Sequence, residues 1–189
     1  EKNKFDLAGF AVGIAKKSTV LKKKNIKKND VVLAIPSNGL HSNGFSLVRY
    51  ILKKKKININ KNKFLKKELI KPTKIYVNEV LKLVEKKLIS GCVHITGGGI
   101  IENIPRVIPD GYGASIDLSK IRSMPIFKWI KNNGVSDKEM LKTFNCGVGF
   151  CLISKKKNLV KIEKYFNNNF KPYLIGKIVA NKKKIFFNE

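Results

Sequence analysis

Residues 31–52, VVLAIPSNGLHSNGFSLVRYIL, change their periodicity midway, and that change decides the fold class. Val31 to Pro36 is a continuous apolar run, the pattern of a short strand covered on both faces. Ser37-Asn38-Gly39 supplies turn residues. From about Asn43 the apolar positions Phe45, Val48, Ile51 and Leu52 recur at helical spacing. A buried strand that passes through a tight turn into an amphipathic helix belongs to a layered fold containing both elements.

Downstream the alternation continues. Pro72 precedes a second helical pattern, carried by Val77, Val80, Leu81, Val84 and Leu88. Cys92 to Ile95 reads as a strand that Thr96-Gly97-Gly98-Gly99 breaks. Further strands are expected near Gly113–Leu118, Gly147–Ser154 and Leu174–Ala180, with helices after Pro125 and after Lys157, and Trp129 in the core. Upstream, Phe5 to Ala15 (FDLAGFAVGIA) has the composition of a strand with nothing nearby to pair with, and a Lys-rich stretch follows it as a linker. Helices and strands interleave without an internal repeat. The expected class is α/β (α+β), a mixed sheet covered by helices.

At 189 residues the chain suits one ordinary domain, and 43% hydrophobic residues exclude a disordered or collagen-like chain. No apolar run approaches the ~20 residues of a membrane-spanning helix, and no charged-then-apolar leader opens the chain. It starts at Glu1 without a Met, so the expectation is a soluble, cytoplasmic piece of a longer protein. The three cysteines, Cys92, Cys146 and Cys151, form no CxxC pair, which argues for free buried thiols over a disulfide framework or a zinc site. The net charge of +27 invites a nucleic-acid reading, yet only Arg49, Arg106 and Arg122 among the 40 basic residues are Arg. Lys is scattered in runs along the whole chain, alongside abundant Asn and Ile. These residues share A- and T-rich codons, so base composition explains the charge without a selected partner.

Three constellations carry chemistry. Ser37-Asn38-Gly39-Leu40-His41-Ser42-Asn43-Gly44 joins a strand to a helix start, where N–H groups attract anions and His41 adds a group that titrates near neutrality. Ser42 or Asn43 could equally cap the helix. His94-Ile95-Thr96-Gly97-Gly98-Gly99-Ile100-Ile101-Glu102-Asn103 places three glycines together, a costly arrangement that makes sense where backbone must approach a phosphate or ribose; it is neither a Walker pattern nor GxGxxG. A glycine-rich turn that merely closes the strand is the bland alternative. Thr143-Phe144-Asn145-Cys146-Gly147-Val148-Gly149-Phe150 is a strand start with alternating glycines, as compatible with packing as with binding. Two His-containing loops at strand ends point to a phosphate-bearing small molecule.

The same residues resemble a known family. DLAGFAVG (Asp6–Gly13), SNGLHSNGFSLVR (Ser37–Arg49), PTKIYV (Pro72–Val77), HITGGGIIENIPRVIP (His94–Pro109) and TFNCGVG (Thr143–Gly149) resemble aminoimidazole ribonucleotide synthetase, also called phosphoribosylformylglycinamidine cyclo-ligase, in that order. The resemblance implies the fifth step of purine biosynthesis: ATP activates the formyl oxygen of formylglycinamidine ribonucleotide, the amidine nitrogen attacks, and phosphate leaves as the ring closes. ATP and Mg²⁺ would be held mainly by an amino-terminal half that is not in this chain, in an enzyme that forms a homodimer. The implied division is residues 1–16 as the last strand of that amino-terminal domain, 17–30 as a linker, and 31–189 as the carboxy-terminal substrate-binding domain. His41 would meet the reacting end of the substrate, as hydrogen-bond donor or proton shuttle, with Ser42, Asn43 and Gly44 beside it. Thr96, Gly97, Gly98 and Gly99 would hold the ribose phosphate, with His94 and Asn145 as polar supports, and no metal ligands are expected in this half. The rival readings are another ATP-dependent enzyme of the same two-domain type, a basic nucleic-acid-binding module, and a folded remnant without activity.

Overall fold

The computed structural model describes residues 8–188. Six strands form one mixed sheet: β1 (Val31–Pro36), β2 (Gly91–His94), β3 (Tyr112–Asp117), β4 (Val148–Ser154), β5 (Tyr173–Ala180) and β6 (Ile185–Asn188). Their order is β2-β4-β1-β5-β3-β6, antiparallel throughout except for the parallel β3/β6 pair. Among the described residues there are seven α-helices: α1 (Phe45–Lys54), α2 (Lys63–Leu69), α3 (Val77–Glu85), α4 (Gly99–Asn103), α5 (Pro125–Asn132), α6 (Asp137–Thr143) and α7 (Leu159–Glu163).

β1 is apolar at every position because both faces of the sheet are covered. Val32 and Ala34 face one layer, packed with Cys151, Ile153, Ile178 and the residues of α4 and its continuation, Ile100, Ile104 and Ile108. Val31, Leu33 and Ile35 face the other, against Val80 and Leu83 of α3 and Ile162 of α7. A third apolar cluster unites α1, α2, α5 and α6 through Val48, Ile51, Leu65, Phe127, Met140 and Phe144, with Trp129 packed on it. The expected mixed sheet with helical cover is therefore the fold.

The Lys-rich linker joins the domain before residue 30. Ile26 is 1% exposed, and Asn29 and Asp30 already exchange backbone hydrogen bonds with Ile178. Asp30 is buried and its carboxylate accepts from Ser90 Oγ at 2.8 Å and from the Lys27 amide at 3.0 Å. Of the expected strand at Phe5–Ala15, residues 5–7 lie outside the described residues. Ala8 to Ala15 form no strand, and Phe10, Val12 and Ile14 are fully exposed. Cys92, Cys146 and Cys151 are free thiols, the last two buried.

Candidate functional site

β1 and β2 both run antiparallel to β4, so the loops that leave β1 and β2 and the loop that enters β4 meet at one end of the sheet. These are the three constellations singled out in the sequence. The Ser37 amide donates to Gly147 O, the Ile95 amide to Gly149 O, and Asn43 Oδ1 lies beside Gly97.

The His41 loop is bent sharply. His41, Ser42 and Gly44 all lie in the left-handed region, at φ of 55°, 63° and 75°, a conformation that non-glycine residues adopt only when their surroundings enforce it. The restraints are local and specific: Asn43 Nδ2 donates to His41 O at 2.8 Å, Asn38 Nδ2 to Pro72 O at 3.0 Å, and Ser42 Oγ lies 3.4 Å from Thr73 Oγ1. Asn145 acts from below. It is buried, its Nδ2 donates to Gly39 O and its Oδ1 accepts from the Gly147 amide, both at 2.8 Å, so both ends of its amide are occupied inside the protein. Asn145 thus ties the loop before β4 to the His41 loop.

The His41 ring is 3% exposed. Its Nε2 lies 2.6 Å from Asn38 Oδ1, whose orientation is set by the bond from Asn38 Nδ2 to Pro72; the Asn38 and Lys74 amides are farther, at 3.2 and 3.5 Å. We assign the proton to Nε2 on the shortest of these contacts. Nδ1 is then a bare lone pair, buried and without a hydrogen-bond partner among the described residues. Burial, with the neighbouring His94 and Lys74 adding to it, lowers the His41 pKa from 6.5 to about 4, so the ring is neutral at pH 7. His94, exposed at the end of β2, is shifted the same way by partial burial.

Sequence reasoning passed over the aromatic wall of this site. Tyr76 donates its hydroxyl to Pro36 O at 2.9 Å, and its ring stands 6.0 Å from both His41 and His94. Phe150 stacks on His94 with ring centroids 5.6 Å apart. A Cβ on Gly149 would strike the Tyr76 hydroxyl and approach His41 Cε1 to 2.7 Å, so only glycine leaves room for both rings. Beside them a pocket of about 410 Å³ is lined by Lys74, Tyr76, Val80, His94 and Phe150, next to exposed Ile75, Val77 and Leu81. The available signal was PTKIYV, a quoted block whose residues received no role.

The glycine turn is built for packing as well as access. Gly98 and Gly99 have φ of 91° and 57°, and a Cβ on Gly99 would run into the carbonyls of Leu141 and Phe144. Asn103, the last residue of the second constellation and given no role there, is 1% exposed and ties the turn together: its Nδ2 donates to Gly99 O at 2.8 Å and Gly97 O at 3.1 Å, and its Oδ1 accepts from Thr96 Oγ1 at 3.1 Å. The amides of Gly97 and Gly98 have no partner among the described residues. The site therefore offers two free backbone donors, one buried imidazole acceptor and an aromatic wall. No group of three or more His, Cys, Asp or Glu gathers as a metal ligand set among the described residues.

A mixed sheet covered by helices, with glycine- and histidine-bearing loops gathered at one end, defines an α/β domain. Its residues 27–187 match the family described as AIR synthase related protein, C-terminal domain, and the chain belongs to that family. It is 43% identical over 182 residues to the chloroplastic phosphoribosylformylglycinamidine cyclo-ligase of Arabidopsis thaliana, covering 93% of this chain and 47% of that one. To the phosphoribosylformylglycinamidine cyclo-ligase of Bacillus licheniformis it is 41% identical over 192 residues, covering 97% of this chain and 56% of the relative. The chain thus spans about half the length of the curated relatives it matches. Solved structures share the fold. The T. maritima PurL complexed with FGAR aligns with a TM-score of 0.54 at 13% identity, covering 91% of this chain and 28% of that one. The thiamine-monophosphate kinase of Stenotrophomonas maltophilia aligns with a TM-score of 0.58 at 13% identity, covering 87% and 52%. Among the described residues no helix is long and apolar enough to cross a membrane.

Proposed function

We propose that this chain is the carboxy-terminal, substrate-holding half of an enzyme that closes formylglycinamidine ribonucleotide to 5-aminoimidazole ribonucleotide. The observation that carries the reading is the buried, unpartnered Nδ1 of His41, in a chain 41–43% identical to cyclo-ligases over nearly its whole length. Ring closure forms a bond between the amidine nitrogen and the formyl carbon, and that nitrogen must shed a proton. A neutral imidazole with a bare lone pair in a dry environment accepts a hydrogen bond from that nitrogen and then its proton. Of the two roles expected for His41, proton acceptance at Nδ1 suits this geometry, because Nε2–H is engaged by Asn38.

The amides of Gly97 and Gly98, with Thr96 and Gly99 shaping the turn, are the proposed cradle for the ribose phosphate. Ser42, Asn43 and Gly44 form the adjoining lip, and His94 flanks the reacting end. Asn145 serves as a positioning residue through Gly39. The complex of the T. maritima relative with FGAR supports a phosphoribosyl ligand in this fold. ATP activates the formyl oxygen when bound. Following the resemblance, we assign nucleotide and Mg²⁺ to the amino-terminal half, and no step on this chain runs through them. That half is the proposed partner, in a cytoplasmic enzyme whose intact form is a homodimer. The exposed Ile75, Val77 and Leu81 beside the site, and exposed Phe10, Val12 and Ile14 upstream, are the apolar surface it would cover. Identity of about 40% to cyclo-ligases against 13% to the thiamine-monophosphate kinase favours this reading over the sister enzymes.

The test is ADP release from Mg-ATP and formylglycinamidine ribonucleotide, measured on this chain alone and after addition of a matching amino-terminal half. ADP is expected in the mixture only. A folded mixture that stays silent would overturn the proposal.

A further inference from the structure

The largest cavity described in the domain, about 560 Å³, lies away from the His41 site, between α5, α6 and the turn after β3. Its walls are apolar: Leu118, Ile121, Phe127, Met140 and the Cys146 thiol. Burial, with Asp137 nearby, pushes the Cys146 pKa up to about 12, so the thiol stays protonated and contributes an uncharged surface. α6 stands between this cavity and the glycine turn, since Met140 and Leu141 line the cavity while the Leu141 carbonyl packs on Gly99. None of the residues lining the pocket beside His94 is shared.

The polar groups around this cavity are few and unbalanced in charge. Lys131 is neutralised by Asp137 at 2.6 Å. Lys128, one turn earlier on the same helix, is exposed and has no carboxylate partner among the described residues, and the Ser123 hydroxyl adds a donor, whereas Ser119 Oγ already donates to Asp117 Oδ1. A volume of this size with apolar walls and a few polar groups is that of a small-molecule site. The single uncompensated cation sets the charge of its occupant.

We propose that this cavity binds a small amphipathic anion, an apolar body carrying one anionic group, with the body against Phe127, Met140 and Cys146 and the anion at Lys128. The site is independent of the ring-closing chemistry proposed for the His41 loops and stands whether or not that reading holds.

The probe is 8-anilinonaphthalene-1-sulfonate, titrated by fluorescence into the chain. One saturable site is expected. Ser123→Trp, which places an indole in the cavity from an exposed loop position, should abolish it. Lys128→Glu, a surface change that leaves the fold untouched, should weaken it about tenfold. Lys87→Glu, on a different face, should leave it unchanged. Circular dichroism and melting temperature should match the parent chain for all three. Binding that does not saturate, or that is indifferent to both cavity variants, would overturn the proposal. So would sedimentation showing a dimer that excludes the dye until dilution separates it, because the cavity would then belong to a contact between two copies of this chain.

Discussion

The two ends of β1, β2 and β4 are built from similar materials and finished differently. At the end where β1 begins and β4 finishes, every buried polar group named here has a partner. Asp30 accepts from Ser90 and Lys27, and Ser154 Oγ donates to Leu88 O at 2.6 Å, where Asn158 Nδ2 donates as well at 3.0 Å. At the opposite end a buried imidazole nitrogen has none, two adjacent non-glycine residues are held in the left-handed region, and two glycine amides are free. An unmet hydrogen bond inside a protein costs roughly 1–3 kcal/mol. The first end has removed such costs. The second retains one, at His41 Nδ1, beside an aromatic-walled pocket and two solvent-accessible glycine amides, which is where a ligand able to meet it gains affinity. The satisfied end reads as structure and the unsatisfied end as function.

That contrast can be broken, and the largest effect should come from the glycine turn. Gly99→Val forces a side chain into two backbone carbonyls from a left-handed conformation, so thermal or urea melts should show a loss of more than about 4 kcal/mol. A variant as stable as the parent would contradict the packing described for α4 against α6.

The pH dependence of stability comes next. The folded pKa of His41, about 4, lies below its ordinary 6.5, so the unfolded chain binds more protons between those values and stability falls as pH is lowered from 6.5 towards 4. Urea melts at pH 7 and pH 4 should lose on the order of 2–3 kcal/mol more in the parent than in His41→Asn. Equal losses would mean that the imidazole is not buried neutral.

Asp30→Ala sharpens the comparison from the structural end. It leaves the Lys27 amide without its acceptor and takes from the Ser90 hydroxyl the closer of its two acceptors, Ile153 O remaining at 3.2 Å, and should cost about 2 kcal/mol in urea melts. The ADP release proposed above, per folded molecule, should not change. A catalytic defect at constant stability would place function at the wrong end of the sheet. Tyr76→Phe, the mildest change, removes the bond to Pro36 O and should cost about 1 kcal/mol, read by the same melts. A stability equal to the parent's would show that the aromatic wall does not depend on it.

How much of this could be read from sequence follows from the range of the interactions. The turn from β1 into α1 was legible because strand and helix periods meet within twenty residues, and Pro125 marked the start of α5 correctly. α6 (DKEMLKT) was not, since only Met140 is buried and a short polar helix has no periodic signature. β6 was missed because four residues are too few for a pattern, and its parallel pairing with β3 spans most of the last third of the chain. Thr96 to Gly99 looked like an open phosphate loop. The amides of Gly97 and Gly98 have no partner among the described residues, whereas Gly99 is already the first residue of a helix and its freedom serves close packing. Asn103 and Tyr76, though inside quoted stretches, received no role for one reason: each acts on backbone carbonyls that only the folded chain brings near.

The central claim is that ligand chemistry belongs to the unsatisfied end and to His41 Nδ1 in particular. The most direct test is a ¹⁵N NMR titration of the labelled chain, paired with its amino-terminal half, using formylglycinamidine ribonucleotide. The account predicts that the Nδ1 resonance of His41 and the amides of Gly97 and Gly98 move together on saturation, while Asp30, Ser90 and Ser154 stay fixed. Saturable binding that leaves His41 Nδ1 and both glycine amides unmoved would contradict it.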